Sequence, residues 1–414
     1  MDKEKSKDLN QIDIPAGLDA GRCFRASHHT GLPAALWRLP GQAAVHFITD
    51  LSGAVRHRKP DLDVLDKGFL MAPFTRQEDG RCRYINASLH YRSDEKRVHL
   101  SPTTPEDSTE SANIDRWKSA LEASALTSPI ATGKASPDIK DEGANRQHFI
   151  RMVEEAVEAI KAGDMLKVVP SRTKHVSLPE DFDAVDTFIR LCEAYPNAFV
   201  SYVYLPDEGS FLGATPELLL STEGNLFRTV ALAGTQPHYE DTHLGDVLWS
   251  QKEIEEQALV SRYIINCFKK IRLREFQEKG PRTSRAGNLI HLKTEFLVDM
   301  EATNFPQLGT VMLELLHPTS AVCGMPKEAA MNFILDREAY DRRYFSGYLG
   351  PVNMEQGSHL FVNLRCMQLL DGGAVLYAGA GVTEDSRPEK EWQETEDKMH
   401  TLLDVILPDD SKKE

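Results

Sequence analysis

The chain of 414 residues carries 48 basic and 63 acidic side chains, which gives a formal net charge of −15. Proteins that follow nucleic-acid backbones bind the phosphates through Lys and Arg, so this balance argues against a nucleic-acid partner. With 41% apolar and 27% charged residues, the composition is that of a soluble globular protein with a large core. The sequence contains no run of about 18 apolar residues, so we expect no membrane-spanning segment. The N-terminus is charged and leads into no apolar stretch, so we expect no secretory signal.

Six cysteines are spread along the chain. None belongs to a C-x-x-C motif, and their separations fit neither a disulfide framework nor a zinc site. This usage is typical of reduced thiols, so we expect a cytoplasmic protein.

The first 140 residues contain short apolar runs separated by polar turns, at 43–49 and 68–74 for example, and no recognisable catalytic motif. From 101 to 144 the composition shifts to Ser, Thr, Pro, Asp and Glu, which is typical of a mobile surface segment. Trp117 and the run 121–126 predict a short helix inside this segment.

The pattern becomes regular after residue 145. Apolar residues at helical spacing predict a helix that ends near Gly163, and a second helix is expected over 247–270. Predicted strands occupy 166–169, 199–205, 218–222 and 226–232, the last two joined as a hairpin.

The C-terminal region repeats the order of strand, hairpin and helix, with strands at 360–370 and 374–378 and a helix at 387–406. Hairpins outnumber strand-helix-strand crossovers. We therefore expect an α+β fold, with large, mostly antiparallel sheets packed as a sandwich and helices outside.

Two predicted helices each carry glutamates three residues apart, Glu253 with Glu256 and Glu391 with Glu394. This spacing places both carboxylates of a pair on one helical face, so two facing helices could offer four carboxylates to one hard cation. Lys398 lies on the same face as Glu391. Glu-x-x-Glu is also common on solvated helices, and the pattern alone is compatible with both interpretations.

Lys167 lies between apolar neighbours in a predicted strand. A buried amine loses its proton more readily than an exposed one, so Lys167 is a candidate general base; a lysine that reaches water from an edge strand is the alternative. Glu217 follows Pro216 at the start of another apolar strand. A carboxyl group in apolar surroundings can act as a proton donor, whereas a strand-end Glu often faces solvent.

Gly234 and Gly379 each follow a predicted strand, where a missing side chain either lets a ligand approach the backbone or simply makes a turn. Neither belongs to a G-x-G-x-x-G motif or a P-loop, so no nucleotide is indicated. Arg365, inside an apolar strand, requires an anionic partner if it is buried, either a ligand carboxylate or a structural Asp or Glu. By themselves, His291 and His317 are more typical of packing than of catalysis.

Together these segments resemble the chorismate-utilising enzymes, the family of anthranilate, aminodeoxychorismate, salicylate and isochorismate synthases. The resemblance covers residues 146–406, almost two thirds of the chain. It consists of ordered blocks at 167–172, 214–220, 232–235, 291–294, 316–324, 347–350, 362–366, 379–381 and 391–395, the last with Lys398.

Two places bear on the reaction. Family members that add ammonia carry Gln where Lys167 stands, whereas members that add water carry Lys, because water needs a base to become a nucleophile. The block 316–319, Leu-His-Pro-Thr, is similar to isochorismate synthases, whereas salicylate and anthranilate synthases tend to have Phe-Pro there. The resemblance therefore implies isochorismate synthase activity, an isomerase reaction.

Salicylate synthase, which also eliminates pyruvate, is the first alternative. An anthranilate or aminodeoxychorismate synthase is the next, and a non-catalytic ligand-binding homologue is the alternative from a different class.

The resemblance also implies roles for individual residues. Lys167 would activate water that attacks C2 of chorismate, and Glu217 would protonate the departing C4 hydroxyl. Mg²⁺ would be held by Glu256 and Glu394, with Glu253 and Glu391 in direct or water-mediated roles. The residues that would bind the substrate are Gly234, Thr235, His291, Phe345, Arg365, Gly379 and Lys398.

Three residues depart from the family pattern, namely Pro170, Gln257 and Lys293, and none of them removes a proposed acid, base or charged ligand. Residues 1–140 resemble the variable N-terminal part of the family, and 145–414 the catalytic region. The expected partner is chorismate, with no glutaminase subunit, nucleic acid or membrane. Menaquinone and siderophore biosynthesis are both compatible with this sequence.

Overall fold

The computed structural model describes residues 19–77, 79–101, 108–123, 141–237, 244–286, 289–355 and 357–407. Its helices are α1 Ala20–Thr30, α2 Ser108–Glu122, α3 Glu142–Ala162, α4 Ala184–Ala194, α5 Gln251–Lys270, α6 Leu308–Leu316, α7 Lys327–Arg337 and α8 Pro388–Ile406. None of these helices combines the length and the hydropathy that a membrane-spanning helix requires.

The strands are short and spread over the whole chain. The first seven are β1 Ala34–Arg38, β2 Val45–Thr49, β3 Arg56–Arg58, β4 Gly68–Ala72, β5 Cys82–Asn86, β6 Leu89–Arg92 and β7 Arg97–Leu100. The next six are β8 Lys167–Val168, β9 Ser171–Ser177, β10 Phe199–Leu205, β11 Gly209–Thr215, β12 Leu218–Glu223 and β13 Leu226–Pro237. The last seven are β14 Gln277–Ala286, β15 Leu289–Asp299, β16 Gly324–Met325, β17 Tyr348–Val352, β18 Ser358–Val362, β19 Cys366–Leu370 and β20 Gly373–Gly379.

Within the described ranges these strands form two nine-stranded sheets and a two-stranded ribbon, β16-β8. The first sheet has the order β7-β6-β2-β1-β10-β11-β19-β20-β9. The second sheet has the order β14-β15-β13-β12-β18-β17-β4-β5-β3. Neighbouring strands such as β10 and β11, or β13 and β15, pair antiparallel.

The two sheets pack face to face through an apolar core. The rings of Phe199 in β10 and Phe361 in β18 stack with their centroids 4.2 Å apart, and Trp37 in β1 contacts Phe69 in β4. Helices α1, α4 and α8 cover the outer face of the first sheet, and α5 and α6 cover that of the second. The predicted sandwich of mostly antiparallel sheets with helices outside is confirmed.

The N-terminal strands lie inside both sheets, because β1 pairs with β10 and β4 pairs with β17. The helix predicted around Trp117 is α2. Its Trp117 side chain is fully buried, and the indole N–H donates a hydrogen bond of 2.9 Å to Ser27 Oγ. Of the segment predicted to be mobile, 102–107 and 124–140 lie outside the described residues.

The prediction of one continuous strand over 360–370 is wrong. The chain is interrupted at 363–365, so that β18 belongs to the second sheet and β19 to the first. Arg365 adopts a left-handed backbone conformation with φ 48°, and the Asn363 side chain fixes the crossing by donating to the carbonyl of Tyr344 at 2.9 Å. The crossing places Arg365 between the sheets.

Candidate active site

A cavity of about 80 Å³ lies where both sheets meet helices α5 and α8. Its walls include the end of β20 from the first sheet and β13 and β15 from the second. Most of the site residues expected from the sequence line it: Glu217, Gly234, Glu256, His291, Phe345, Arg365, Gly379, Glu394 and Lys398. The fold therefore brings together residues that are far apart in the chain.

Lys167 forms a buried ion pair beside this cavity. Its strand β8 pairs with β16, and its Nζ donates to Oε1 of Glu256 in α5 at 2.7 Å. Burial alone would raise the pKa of Glu256, but the charge and hydrogen bond of Lys167 outweigh burial and lower it. A side chain at Gly381 would place its Cβ only 2.7 Å from Oε1 of Glu256 and 3.1 Å from Cε of Lys167. The absence of a side chain at Gly381 makes room for this pair.

Glu217 is buried and lies immediately before β12. Burial raises the pKa of Glu217 to about 7, although the positive charges of Arg365, Lys167 and Lys398 act in the opposite direction. A carboxyl group with this pKa carries a proton over much of the neutral range. Glu217 thus has the property that a proton donor needs.

Two cations face Glu217 across the cavity. Burial lowers the pKa of Arg365 to about 10, opposed by the charges of Glu394 and Glu217, so the guanidinium stays protonated at neutral pH. Lys398 Nζ donates to the carbonyl of Gly379 at 2.8 Å and pairs with Glu394 Oε1 at 2.6 Å. The site therefore holds fixed positive charge suited to a carboxylate ligand.

The four glutamates expected to bind a metal occupy different surroundings. Glu256 and Glu394 line the cavity. Glu391 is buried beside it, where burial and the negative charge of Glu394 raise its pKa, and its Oε1 accepts from Lys252 Nζ at 2.8 Å. Glu253 closes the capping box of α5, because its Oε2 accepts from the backbone N–H of Ser250 at 2.7 Å.

The donor set fits a hard cation in its chemistry. Glu256 and Glu394 offer carboxylate oxygens to one cavity. Burial and then the negative charge of Glu394 raise the pKa of Glu391, and a cation would offset that charge. Within the described residues no group of three or more His, Cys, Asp or Glu side chains is gathered closely enough to form a metal site. The metal-binding roles of all four glutamates stay predictions.

His291 and Gly234 form the part of the cavity wall that β15 and β13 contribute. The Nδ1–H of His291 donates to the carbonyl of Gly234 at 3.0 Å, and Gly234, with φ 70°, lies at an irregularity in the pairing of β13 with β15. Burial lowers the pKa of His291 to about 3, so the imidazole is neutral. Phe345 is held by stacking on Tyr377. The backbone of Thr235 pairs with that of His291, and the side chain of Thr235 lies outside the described part of the chain.

Arg342, which is buried in the cavity wall, was not predicted from the sequence. Its guanidinium donates to the carbonyls of Val169 at 2.7 Å and Val322 at 2.9 Å. It also pairs with Glu338, whose Oε1 accepts from the backbone N–H of Ser171 at 2.8 Å. The available signal was a pair of opposite charges four residues apart, and that spacing is common on exposed helices.

Gln257, one of the departures from the family pattern, is buried on the inner side of α5. Its Nε2 donates to Thr294 Oγ1 at 2.9 Å and to the carbonyl of Ala231 at 3.3 Å. These bonds fasten α5 to β15 and β13. The helix that carries Glu256 is thereby fixed against the second sheet.

A family model described as chorismate binding enzyme matches residues 87–407 of this chain. The chain belongs to this family. Isochorismate synthase EntC of Escherichia coli K12 is 31% identical over 263 residues, which cover 62% of this chain and 66% of EntC. The match therefore spans slightly less than two thirds of this relative's length.

Solved structures share the fold. MenF, the menaquinone-specific isochorismate synthase from Escherichia coli, matches with a TM-score of 0.75 at 22% identity, covering 95% of this chain and 94% of MenF. Anthranilate synthase component I from Streptococcus pneumoniae TIGR4 matches with a TM-score of 0.65 at 20% identity, covering 96% and 95%. The predicted family and fold class are confirmed.

Proposed function

We propose that this family member is an isochorismate synthase, an isomerase that adds water at C2 of chorismate and removes the C4 hydroxyl in a Mg²⁺-dependent reaction. The observation that carries the proposal is the presence, at one cavity, of a buried amine, Lys167, and a separate buried carboxyl group of raised pKa, Glu217. Lys167 and Glu217 approach one small cavity that also contains Arg365 and Lys398. The isochorismate synthase names of several relatives support the same activity.

In the proposed reaction, Lys167 accepts a proton from water while the water oxygen bonds to C2 and the ring double bonds shift. The C4–oxygen bond breaks, and Glu217 gives its proton to the departing hydroxyl, which leaves as water. One water is consumed and one is released, so no redox cofactor is needed. Lys167 is paired with Glu256 in this structure, and it must be neutral before it can accept the proton.

The charge of the cavity suits a dicarboxylate substrate. We assign Arg365 to the enolpyruvyl carboxylate, because it is cationic, half-buried in the cavity wall and placed between the sheets. Lys398 would support the opposite carboxylate, since it lies beside Glu394 and the carbonyl of Gly379. The neutral His291 and the ring of Phe345 would position the substrate ring.

Mg²⁺ would be held by Glu256 and Glu394, with Glu253 and Glu391 in direct or water-mediated roles. Bound there, it would supply positive charge for the ring carboxylate of the substrate. Glu256 bonds Lys167 and Glu394 bonds Lys398, each through Oε1, so the metal would either compete with these lysines for Oε1 or bind through Oε2.

Salicylate synthase is the competing activity within the same fold. His317, the residue that favours isochorismate synthase, is buried outside the cavity, where its Nε2–H donates to the carbonyl of Pro73 at 3.0 Å. Its segment continues to Ala321 and Val322, which line the cavity. The block would act on the reaction through the placement of this wall.

Chromatography of the products of chorismate, with and without Mg²⁺, tests the proposal. We expect isochorismate alone, formed in the presence of Mg²⁺ and lost with a chelator. Salicylate with pyruvate would indicate salicylate synthase. A requirement for ammonia would indicate an anthranilate-type reaction, and no conversion under any condition would favour a binding protein.

A further inference from the structure

A second and larger cavity adjoins the active site. It has a volume of about 460 Å³ and shares two lining residues, Pro216 and Leu232, with the active-site cavity. One side of this cavity is the inner face of the second sheet. The other side is formed by residues 39–42, which follow β1, and by Asn197, which precedes β10 in the first sheet. We refer to this cavity as the vestibule.

Strand geometry aligns the vestibule with the active site. His291 lines the active-site cavity and Lys293 lines the vestibule, and both lie on β15. Residues two apart on a strand point to the same face, about 6.6 Å from each other. Lys293 also pairs in register with Leu232, which lines both cavities. A ligand that moves along this face passes from Lys293 to His291.

A cluster of positive charge borders the vestibule: Lys293 and Arg228 line it, and Arg282 joins them through a shared carboxylate. Glu295, only 6% exposed, accepts ion pairs from Lys293 at 3.0 Å, from Arg282 at 2.6 Å and from Arg228. Burial would raise the pKa of Glu295, but Lys293 and Arg228 outweigh burial and lower this pKa. Three cations around one carboxylate leave two net positive charges.

The other charged side chains that line the vestibule do not cancel this positive charge. Arg285 adds a further cation to the vestibule lining, and Glu223 adds one carboxylate. The whole chain has a net charge of −15, so a positive region beside the active site runs against the general field of the protein.

We propose that Lys293, Arg282 and Arg228 form a recruitment site that attracts a small organic dianion into the active site. The inference rests on the proposed function, because chorismate carries two carboxylates. It gives a role to Lys293, the departure from the family pattern that catalysis does not use. The cluster acts before chemistry, so it affects kcat/KM and leaves kcat nearly unchanged.

The test uses the full chain with the double substitution Lys293→Gln/Arg282→Gln. Arg228 still pairs with Glu295 in this variant, so the buried carboxylate is not left alone. We expect kcat/KM for chorismate to fall about three- to tenfold at low ionic strength, with kcat within about twofold of wild type. The difference should disappear near 1 M salt, where the Debye length is about 3 Å.

Glu295→Gln provides a test with the opposite sign. The substitution keeps the shape and an acceptor oxygen but removes the negative charge, so kcat/KM should rise at low ionic strength. A merely structural role for the cluster would lower kcat/KM in both variants. The control, Arg337→Gln/Lys269→Gln, removes two outer charges from α7 and α5 and should match wild type.

Two results would overturn the inference. One is equal kcat/KM for the double variant and the control at every salt concentration. The other is a fall in kcat with KM unchanged. If the wild-type chain itself makes no isochorismate, the proposed function fails first, and the recruitment site for its substrate fails with it.

Discussion

Two buried ion pairs border the active-site cavity, and they differ in how completely their atoms are bonded. Arg342 and Glu338 are each 2% exposed, and together they bond two main-chain carbonyls and one backbone N–H. Lys167 is 1% exposed, but the side chain of its partner Glu256 is 23% exposed and faces the cavity.

The difference separates a structural pair from a functional one. A buried pair with every partner fixed holds a single arrangement, because breaking it leaves an unpaired charge in a medium of low dielectric constant. A pair open to a cavity on one side can exchange its partner for a ligand. We therefore expect loss of Arg342 to reduce stability, and loss of Lys167 to reduce activity.

The largest effect is expected for Lys167→Ala. Removal of a general base lowers turnover by about 10²- to 10⁴-fold, and the cavity beside Glu256 limits the loss of stability. Steady-state kinetics with chorismate, together with a thermal melt, measure both quantities. The matched control is Lys174→Ala, which removes a partly exposed lysine paired with Glu396. Wild-type turnover in Lys167→Ala would contradict the assignment of the base.

Arg342→Ala should produce the largest loss of stability. We expect the free energy of unfolding to fall by about 3–5 kcal/mol, because Glu338 stays buried without its cation. Denaturant titration measures the loss. In Arg337→Ala, which breaks an exposed pair with Glu155, the change should be below about 1 kcal/mol. Equal losses for Arg342→Ala and Arg337→Ala would show that burial does not set the contribution of the Arg342–Glu338 pair to stability.

Gly381→Ala should affect activity more than stability. The added Cβ would meet Oε1 of Glu256 and Cε of Lys167, both at the ends of flexible side chains that can move away. Displacement of the base by about 1 Å lowers turnover up to about 10²-fold. Kinetics and a thermal melt on the same preparation check this, and unchanged kinetics would show that the placement of the pair does not matter.

The smallest effect concerns the stability of Glu217→Gln. The pKa of Glu217 is about 7 in the folded chain and 4.5 when unperturbed, so the unfolded chain releases this proton at lower pH. Burial of Glu217 therefore does not affect the free energy of unfolding well below pH 4.5. This free energy falls as the pH rises from 4.5 to about 7, and the loss is complete above about pH 7. Gln does not ionise, so the variant does not lose this stability. At about pH 8 it should be more stable than wild type by on the order of 1–3 kcal/mol.

Denaturant titrations of Glu217→Gln at about pH 5 and about pH 8 check this expectation. The gain over wild type should be small at the lower pH and should grow at the higher one. A gain that does not change with pH would mean that ionisation of Glu217 is not its cause.

The regular elements and the charged residues of the site could be predicted from the sequence. Helix α8 was expected over 387–406 and spans Pro388–Ile406, because an apolar stripe at helical spacing is a local signal. The crossing at 363–365 could not be predicted in this way. A mostly apolar segment such as 360–370 looks like one strand even where its two halves join different sheets.

The sequence also could not predict which side chains contact one another in the folded chain. Glu253 and Glu256 look equivalent in the sequence, yet one caps α5 and the other bonds Lys167. The position of the helix N-terminus and the approach of β8 decide between them, and both depend on tertiary packing. The role of Arg342 was hidden for the same reason, since its carbonyl partners come from distant segments.

The most direct test of the central claim, that the Lys167 site activates water, is conversion of chorismate in water labelled with heavy oxygen. Mass spectrometry of the wild-type product should show isochorismate that has gained one labelled oxygen at C2. Lys167→Ala should form the labelled product at least about 10²-fold more slowly. Isochorismate without label, or labelled product formed equally fast by Lys167→Ala, would contradict the account.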